Sequence, residues 1–295
     1  MRSYRTRELI EAGILPRPAP CLDVEGLSVR LDALGLEFAA GGLADALSRA
    51  AREDWGPPQF LDALIRTELE LREERRVKVS LRISGLPNGQ TIGNFDFGFQ
   101  PAIERSRIET LATCGWIREK STLLLQGPPG VGKTHLAVAL GVRAIENGFS
   151  VCFFRLEDLL PELRKCTQLP ARRMKHKKYM AANLLIIDEM GFKAMDAEEA
   201  NLFFRLISHR YGRGATCITT NKSIRDWPGM LAGDEVLATA VLDRLLHSSH
   251  VLNIKGRSYR LRDLEESLKL QNQRPAESSR PATEESQPDL PDAKT

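Results

Sequence analysis

Apolar residues recur at a helical spacing in the first part of the chain. Between residues 24 and 76 this spacing is kept by Leu27, Leu31, Leu34 and Phe38. Pro57-Pro58 then opens a second helical run, because proline is favoured in the first turn of a helix. The pattern predicts a small all-helical domain over residues 23–84.

After residue 85 the pattern changes, and short apolar runs alternate with helical runs. The predicted strands are 121–126, 150–154, 183–187, 215–220 and 250–254, and the main helices between them are 133–147, 196–211 and 234–247. Alternation of this kind is typical of βα units on a parallel sheet. We therefore expect an α/β domain over residues 85–265, with a parallel sheet flanked by helices.

The two ends of the chain lack such patterns. Residues 1–22 form an N-terminal extension that contains Pro16, Pro18 and Pro20. From about Gln271 the sequence is dominated by Pro, Ser, Gln and Glu, so it cannot bury enough apolar surface to offset the entropy lost on ordering. We expect residues 266–295 to be a disordered tail.

Composition narrows the class of protein. No run approaches the roughly 18 apolar residues that a membrane helix needs, and no signal-like stretch follows Met1, so we expect a cytoplasmic protein without a membrane partner. The net charge of +3 is compatible with nucleic-acid binding but does not require it. The cysteines lack a C-x-x-C pair, which favours structural thiols over a zinc site; they are Cys21, Cys114, Cys152, Cys166 and Cys217.

A phosphate-binding motif of the form G-x-x-x-x-G-K-T stands between the first predicted strand and its helix. It consists of Gly127, Pro128, Pro129, Gly130, Val131, Gly132, Lys133 and Thr134. In such a loop the backbone N–H groups face phosphates at the positive end of a helix. Lys133 is expected to reach the β- and γ-phosphates of ATP, and Thr134 to bind Mg²⁺. A simple glycine-rich turn is the structural alternative.

Two carboxylates end the apolar strand at 183–187. Asp188 is the candidate for the magnesium shell, and Glu189 is the candidate base that orients water. An acidic side chain beside the metal acid favours hydrolysis over phosphoryl transfer to a small molecule. A solvated strand end is the competing interpretation.

Three further polar positions are candidates for contacts with the γ-phosphate. Asn221 follows the strand at 215–220 and would face the ligand crevice, unless it only caps a turn. Arg244 lies on a predicted helix, where it is either an ordinary surface arginine or an arginine finger for a neighbouring subunit. Arg257 or Arg260 is a possible phosphate sensor from the same chain.

Basic and aromatic clusters suggest other contacts. The runs at 172–178 and 72–82 are rich in Lys and Arg and could follow a DNA backbone, although charged helix faces in solvent explain them equally well. Phe95 and Phe97 could line an adenine pocket or simply pack in a linker.

Taken in order, these motifs resemble the IstB family over about residues 27–265. The segments that carry the resemblance are Asn94–Phe97, Gly127–Ala137, Leu185–Glu189, Arg210-Tyr211, Thr219–Asn221, Leu242–His247 and Gly256–Arg260. Members of that family are AAA+ ATPases that assist the transposase of a bacterial insertion sequence, and they are related to DnaC helicase loaders.

The resemblance implies an ATP- and Mg²⁺-dependent oligomer on duplex DNA that serves a cognate transposase. It assigns Asn221 as sensor 1, Arg244 as the arginine finger and Arg260, or else Arg257, as sensor 2. The helical domain would contact the transposase or DNA. A helicase loader is the nearest alternative; a small-molecule phosphotransferase and a nucleotide-binding switch without turnover are more distant ones.

Overall fold

The computed structural model describes residues 23–166 and 177–262. The chain divides into two compact units, with the division between Ile83 and Ser84. The predicted N-terminal extension at 1–22 and the tail at 266–295 lie outside the described residues.

Helices α1 (Val24–Ala33), α2 (Glu37–Arg52) and α3 (Pro57–Ser84) make up the first part of the chain. Ala39, Leu43 and Leu64 form their small buried core. Glu68 of α3 is buried and accepts hydrogen bonds from the backbone N–H groups of Phe38 and Ala39, at 2.9 Å each. It thereby satisfies otherwise unpaired groups in the first turn of α2.

The predicted continuous stripe from Leu27 to Phe38 is wrong. Helix α1 ends at Ala33, and the side chain of Leu34 is 77% exposed. Gly35 has a φ angle of 76°, a conformation that glycine adopts without steric cost. The chain therefore turns here, and the later apolar positions belong to α2.

The second unit alternates strands and helices. Helices α4 (Arg105–Ala112) and α5 (Gly115–Arg118) precede strand β1 (Thr122–Gln126). The elements that follow are α6 (Lys133–Glu146), β2 (Val151–Arg155), α7 (Leu156–Cys166), α8 (Lys178–Ala181), β3 (Leu184–Met190), α9 (Ala197–Arg210), β4 (Ala215–Thr220), α10 (Trp227–Met230), α11 (Glu235–Leu246) and β5 (Ser249–Asn253). Two 3₁₀ turns, Ile224–Asp226 and Tyr259–Leu261, complete the described part.

Within the described residues the strands form one parallel sheet of five, in the order β2-β3-β4-β1-β5. Gln126 at the end of β1 lies opposite Thr220 of β4 and Asn253 of β5. The carboxyl ends of these strands therefore meet at one edge of the sheet. The predicted α/β architecture, a parallel sheet flanked by helices and preceded by a helical region, is confirmed.

The central strands are apolar on both faces, as expected for a sheet covered by helices. Residues 123–125 of β1 and 184–187 of β3 are almost completely buried. Strand β3 runs to Met190 rather than ending at Ile187, with an irregular register between these two residues. The predicted pair of acids therefore lies inside the strand. No helix in residues 23–166 or 177–262 has the length and apolar character of a membrane span.

Candidate active site

A cavity of about 290 Å³ opens at the carboxyl-terminal edge of the sheet. Ligands of α/β proteins bind in crevices at this edge. Of the residues that the sequence predicted for the site, the lining includes Pro129, Gly130, Val131, Gly132, Lys133, Thr134, Glu189, Asn221 and Arg260. One cavity therefore brings together the phosphate loop, the candidate base and two of the predicted sensors.

Two glycines let the loop follow its path. Gly127 has a φ of 156°, and a Cβ atom there would overlap the carbonyl oxygen of Ile254. Gly132 has a φ of 95°, and its Cβ would lie 2.6 Å from a ring carbon of Phe95. Because both positions exclude a side chain, the loop needs glycine at each. Helix α6 begins at the next residue, so its N-terminus points toward the cavity.

The side chain of Lys133, the first residue of α6, reaches back to the start of the loop. Its Nζ donates hydrogen bonds to the carbonyl oxygens of Gly127, at 2.8 Å, and Pro128, at 2.7 Å. Burial lowers the pKa of this ammonium group; the carboxylate of Asp188 opposes the change, and the positive charge of Arg260 adds to it. A bound triphosphate would restore the preference for the charged amine, since an anion favours the protonated form.

Asp188 is buried, and its carboxylate contacts the hydroxyl groups of two residues that line the cavity. Thr134 Oγ1 donates to its carboxylate at 2.9 and 3.1 Å. Thr219 Oγ1 of β4 donates to Oδ1 of the same carboxylate at 2.5 Å. The hydroxyl of Thr134 and the carboxylate of Asp188 are hard oxygen ligands, the type that Mg²⁺ prefers.

Glu189 has an unusual backbone within its strand. Its φ is 59°, in the left-handed region that non-glycine residues occupy uncommonly. Its N–H donates to Thr219 Oγ1 at 3.0 Å, and its carboxylate lies 3.7 Å from Nε of Arg155 at the end of β2. The turn of the backbone gives Glu189 a place in the cavity wall beside the buried Asp188.

The two candidate sensor arginines after β5 have different surroundings. Arg260 lines the cavity and is close enough to Lys133 to affect its pKa. Arg257 packs over the ring of Phe99, at 5.6 Å from its centroid. Of the two arginines, Arg260 therefore faces the cavity, whereas Arg257 is absent from its lining among the described residues.

Phe95 also belongs to the cavity. It lines the wall and packs edge-on against His135, at 5.2 Å, and against Phe97, at 4.8 Å. His135 Nε2 in turn contacts the carbonyl oxygen of Thr91, at 2.9 Å. Phe97 itself supports Phe95 and is absent from the lining among the described residues.

Arg244 lies apart from these residues, at a second cavity of about 240 Å³. Thr122, Thr216 and Ser248 also line this cavity, and they stand at or beside the amino ends of β1, β4 and β5. Since the strands are parallel, this is the edge of the sheet opposite the phosphate loop. The structure thus separates Arg244 from the nucleotide cavity of its own chain.

The structure describes the basic run at 72–82 completely and the basic run at 172–178 only in part. Residues 172–176 lie outside the described residues, and Lys178 places its ammonium group 5.2 Å from the ring centroid of Phe154. In the run at 72–82, Arg72, Arg75 and Arg76 pair with glutamates at 2.6, 2.7 and 2.5 Å. These ion pairs favour the interpretation of that run as a charged helix surface.

The described cysteine thiols are structural. Cys114, Cys152 and Cys217 are free and buried. Burial raises the pKa of Cys152 to about 11 and also raises the pKa values of the other two. Such thiols stay protonated and unreactive near neutral pH. Cys21 lies outside the described residues.

Thr219 is a candidate site residue to which the sequence assigned no role. Its buried hydroxyl contacts both Asp188 and the backbone of Glu189. The available signal was the presence of Thr216, Thr219 and Thr220 in a strand that is buried throughout. Polar side chains in such a strand need hydrogen-bond partners.

Comparison with known proteins identifies the family. The family described as IstB-like ATP binding protein matches residues 29–267. An ATP-binding protein of insertion sequence IS21 from Pseudomonas aeruginosa is 41% identical over 237 residues, which are 80% of this chain and 89% of the relative. An ATP-binding protein of insertion sequence IS5376 from Geobacillus stearothermophilus is 41% identical over 205 residues, 70% and 81% of the two chains.

Solved structures include similar chains. The DnaC helicase loader has a TM-score of 0.43 and 25% identity, covering 51% of this chain and 88% of that chain. DnaA from Aquifex aeolicus, bound to AMPPCP, has a TM-score of 0.47 and 19% identity, covering 64% and 57%.

The resemblance inferred from the motifs is therefore confirmed over most of the chain. The phosphate loop, the parallel sheet and the buried acid beside Thr134 agree with an ATP-binding domain. The chain belongs to the IstB-like ATP binding protein family and is a P-loop ATPase.

Proposed function

We propose that this ATPase is a transposition helper, which assembles on duplex DNA with ATP and delivers or activates a transposase. The observation that carries the proposal is the distance of Arg244 from its own phosphate loop, at opposite edges of one sheet. If Arg244 acts on a γ-phosphate, that phosphate belongs to another subunit and not to its own. The named relatives are ATP-binding proteins of insertion sequences, which supports a transposase as the client.

Within one subunit, the loop amides and Lys133 bind the triphosphate. Thr134 and Asp188 would hold Mg²⁺, which would neutralise phosphate charge. Glu189 orients the attacking water and accepts its proton. Asn221 and Arg260, which line the same cavity, contact the γ-phosphate and so relay whether it is present.

The neighbouring subunit supplies Arg244 to complete this site. A guanidinium group near the γ-phosphate stabilises charge that develops in the transition state and is worth roughly 10³–10⁵ in rate in other phosphate-transferring enzymes. Hydrolysis then removes the group that both subunits contact, which weakens the assembly. ATP binding thus builds the complex and hydrolysis resets it.

In the same scheme, duplex DNA and the transposase contact different parts of the chain. We assign duplex DNA to the basic run at 172–178, since phosphate contacts need charge but no sequence reading. We assign the transposase to the helical domain at 23–84. The ATPase domain at 85–265, next in the sequence, then couples the state of the nucleotide to the client.

Glu189→Gln tests the proposal because it keeps the shape of the base but removes its proton acceptor. We expect ATP hydrolysis to fall by about 100-fold or more, while the variant accumulates as an ATP-bound oligomer on duplex DNA. Phosphate release and sedimentation with DNA measure the two effects. Hydrolysis at the parental rate would refute the role of Glu189.

Asp188→Asn is the matched control for the trapped state, since it weakens the metal site rather than the base. We expect it to lose both hydrolysis and stable assembly. The client is identified by adding purified candidates to the trapped Glu189→Gln complex. Retention of a replicative helicase, without the transposase, would favour the helicase-loader alternative.

A further inference from the structure

The guanidinium of Arg244 is held by two contacts in its own subunit. Its Nη1 donates to the carbonyl oxygen of Ala240 at 2.7 Å, one turn earlier on α11. Its central carbon lies 4.8 Å from the ring centroid of Phe204 on α9. Phe204 is partly buried and packs against the main core, so its ring has little freedom to move away.

These contacts matter because arginine is a long and flexible side chain. Left alone, it would occupy many rotamers, and only a fraction would reach a neighbouring phosphate. A ring face attracts a cation, and for arginine it also matches the planar group. The stacked ring restricts Arg244 without using the N–H groups that would contact phosphate.

We propose that Phe204 is a positioning residue that holds Arg244 ready for the active site of the next subunit. This inference rests on the proposed function, in which Arg244 acts between subunits. It adds that the rate of each site depends on a ring in the neighbouring chain that itself touches no nucleotide. The ring therefore affects turnover more than ATP affinity.

The test uses mixed assemblies, so that the ring and the reaction are on different subunits. Wild-type protein is mixed with about a ninefold excess of Glu189→Gln protein, so about nine in ten wild-type sites face a variant neighbour if subunits mix at random. The excess protein carries Glu189→Gln either alone or together with one further substitution. The further substitutions are Arg244→Ala, Phe204→Leu and Phe204→Tyr. ATP hydrolysis per wild-type subunit is measured with saturating ATP and duplex DNA.

We expect a loss of about tenfold with Arg244→Ala and about threefold with Phe204→Leu, relative to Glu189→Gln alone. Phe204→Tyr keeps the ring and should restore the rate. The apparent KM for ATP of the wild-type sites should stay the same. Because the substituted subunits do not hydrolyse ATP themselves, their effect must pass through the neighbour.

Phe203→Leu on the same helix is the matched control. Phe203 is completely buried, so this change disturbs the packing of α9 at least as much but removes no contact with Arg244. Sedimentation checks that each variant enters the assembly. If Phe204→Leu fails to enter it, Phe204→Met takes its place.

Two results would overturn the inference. Phe204 does not position the finger if Phe204→Leu reduces the rate no more than Phe203→Leu or Phe204→Tyr does, or if it has no effect while Arg244→Ala does. If Arg244→Ala in the excess protein has no effect, the site is not shared, and the proposed function fails with it.

Discussion

At the scale of single residues, Thr219 connects the two acids of the site. Its hydroxyl accepts the N–H of Glu189 and donates to the carboxylate of Asp188. One side chain thus fixes both the left-handed backbone of the candidate base and the orientation of the candidate metal ligand. Pre-organisation of this type lowers the cost of reaching the transition state.

Replacing Thr219 with Val tests this role, because valine keeps the shape and removes the hydroxyl. The loss of two hydrogen bonds should reduce kcat by about 10- to 100-fold, with a smaller change in ATP affinity. Steady-state hydrolysis and nucleotide titration separate the two quantities. Thr219→Ser should recover most of the rate, and equal losses for Ser and Val would contradict the role of the hydroxyl.

Local motifs explain which site residues the sequence could predict. The loop from Gly127 to Thr134 and the pair Asp188-Glu189 are runs of consecutive residues, so a local sequence motif reveals them. Thr219 acts through partners on another strand, about 30 residues away in the sequence. The choice between Arg257 and Arg260 likewise depends on the path of the segment after β5. This segment turns back toward the phosphate loop, and the N–H of Tyr259 donates to the carbonyl oxygen of Gly130. Such contacts have no local pattern.

At the scale of elements, the alternating pattern predicted every strand of the sheet in the described residues, with ends that differ by at most three residues. The largest difference is at β3, because Glu189 takes a positive φ and pairing resumes at Met190. Propensity cannot anticipate a backbone that is held by a hydroxyl from another strand. The break at Leu34 was missed for a simpler reason, since the apolar spacing continues through the turn.

A buried arginine joins helix α8 to strand β4. Arg210, at the end of α9, is almost completely buried, and burial lowers its pKa to about 10. Its guanidinium donates to the carbonyl oxygens of Tyr179, Met180 and Ala182 at the end of α8, and to Ala215 at the start of β4. It therefore caps the carboxyl end of the short helix α8.

Arg210→Met should destabilise the ATPase domain by about 3 kcal/mol, because several buried carbonyl groups lose their donor. Although removal of a buried charge offsets part of this cost, the orphaned acceptors outnumber the one cation. Urea unfolding measures the difference. Arg210→Lys keeps the charge but not the fork of donors, so it should be intermediate or as severe. A stability equal to wild type in both variants would contradict this account.

At the scale of the whole molecule, the nucleotide cavity and Arg244 lie at opposite edges of one sheet. If one edge of a subunit contacts the other edge of its neighbour, the interface is heterologous. Such interfaces generate rings or open helical filaments. An assembly that follows DNA needs this geometry, since every subunit then presents the same face along the duplex.

The most direct test of the shared site mixes two variants that are inactive for different reasons. Lys133→Ala lacks the phosphate contact but keeps Arg244, whereas Arg244→Ala keeps an intact loop. Each alone should hydrolyse little ATP on duplex DNA. An equimolar mixture should recover about a quarter of the parental rate, because about half of the Arg244→Ala subunits gain a competent neighbour. A mixture no more active than the mean of the two separate variants would contradict a site built from two subunits.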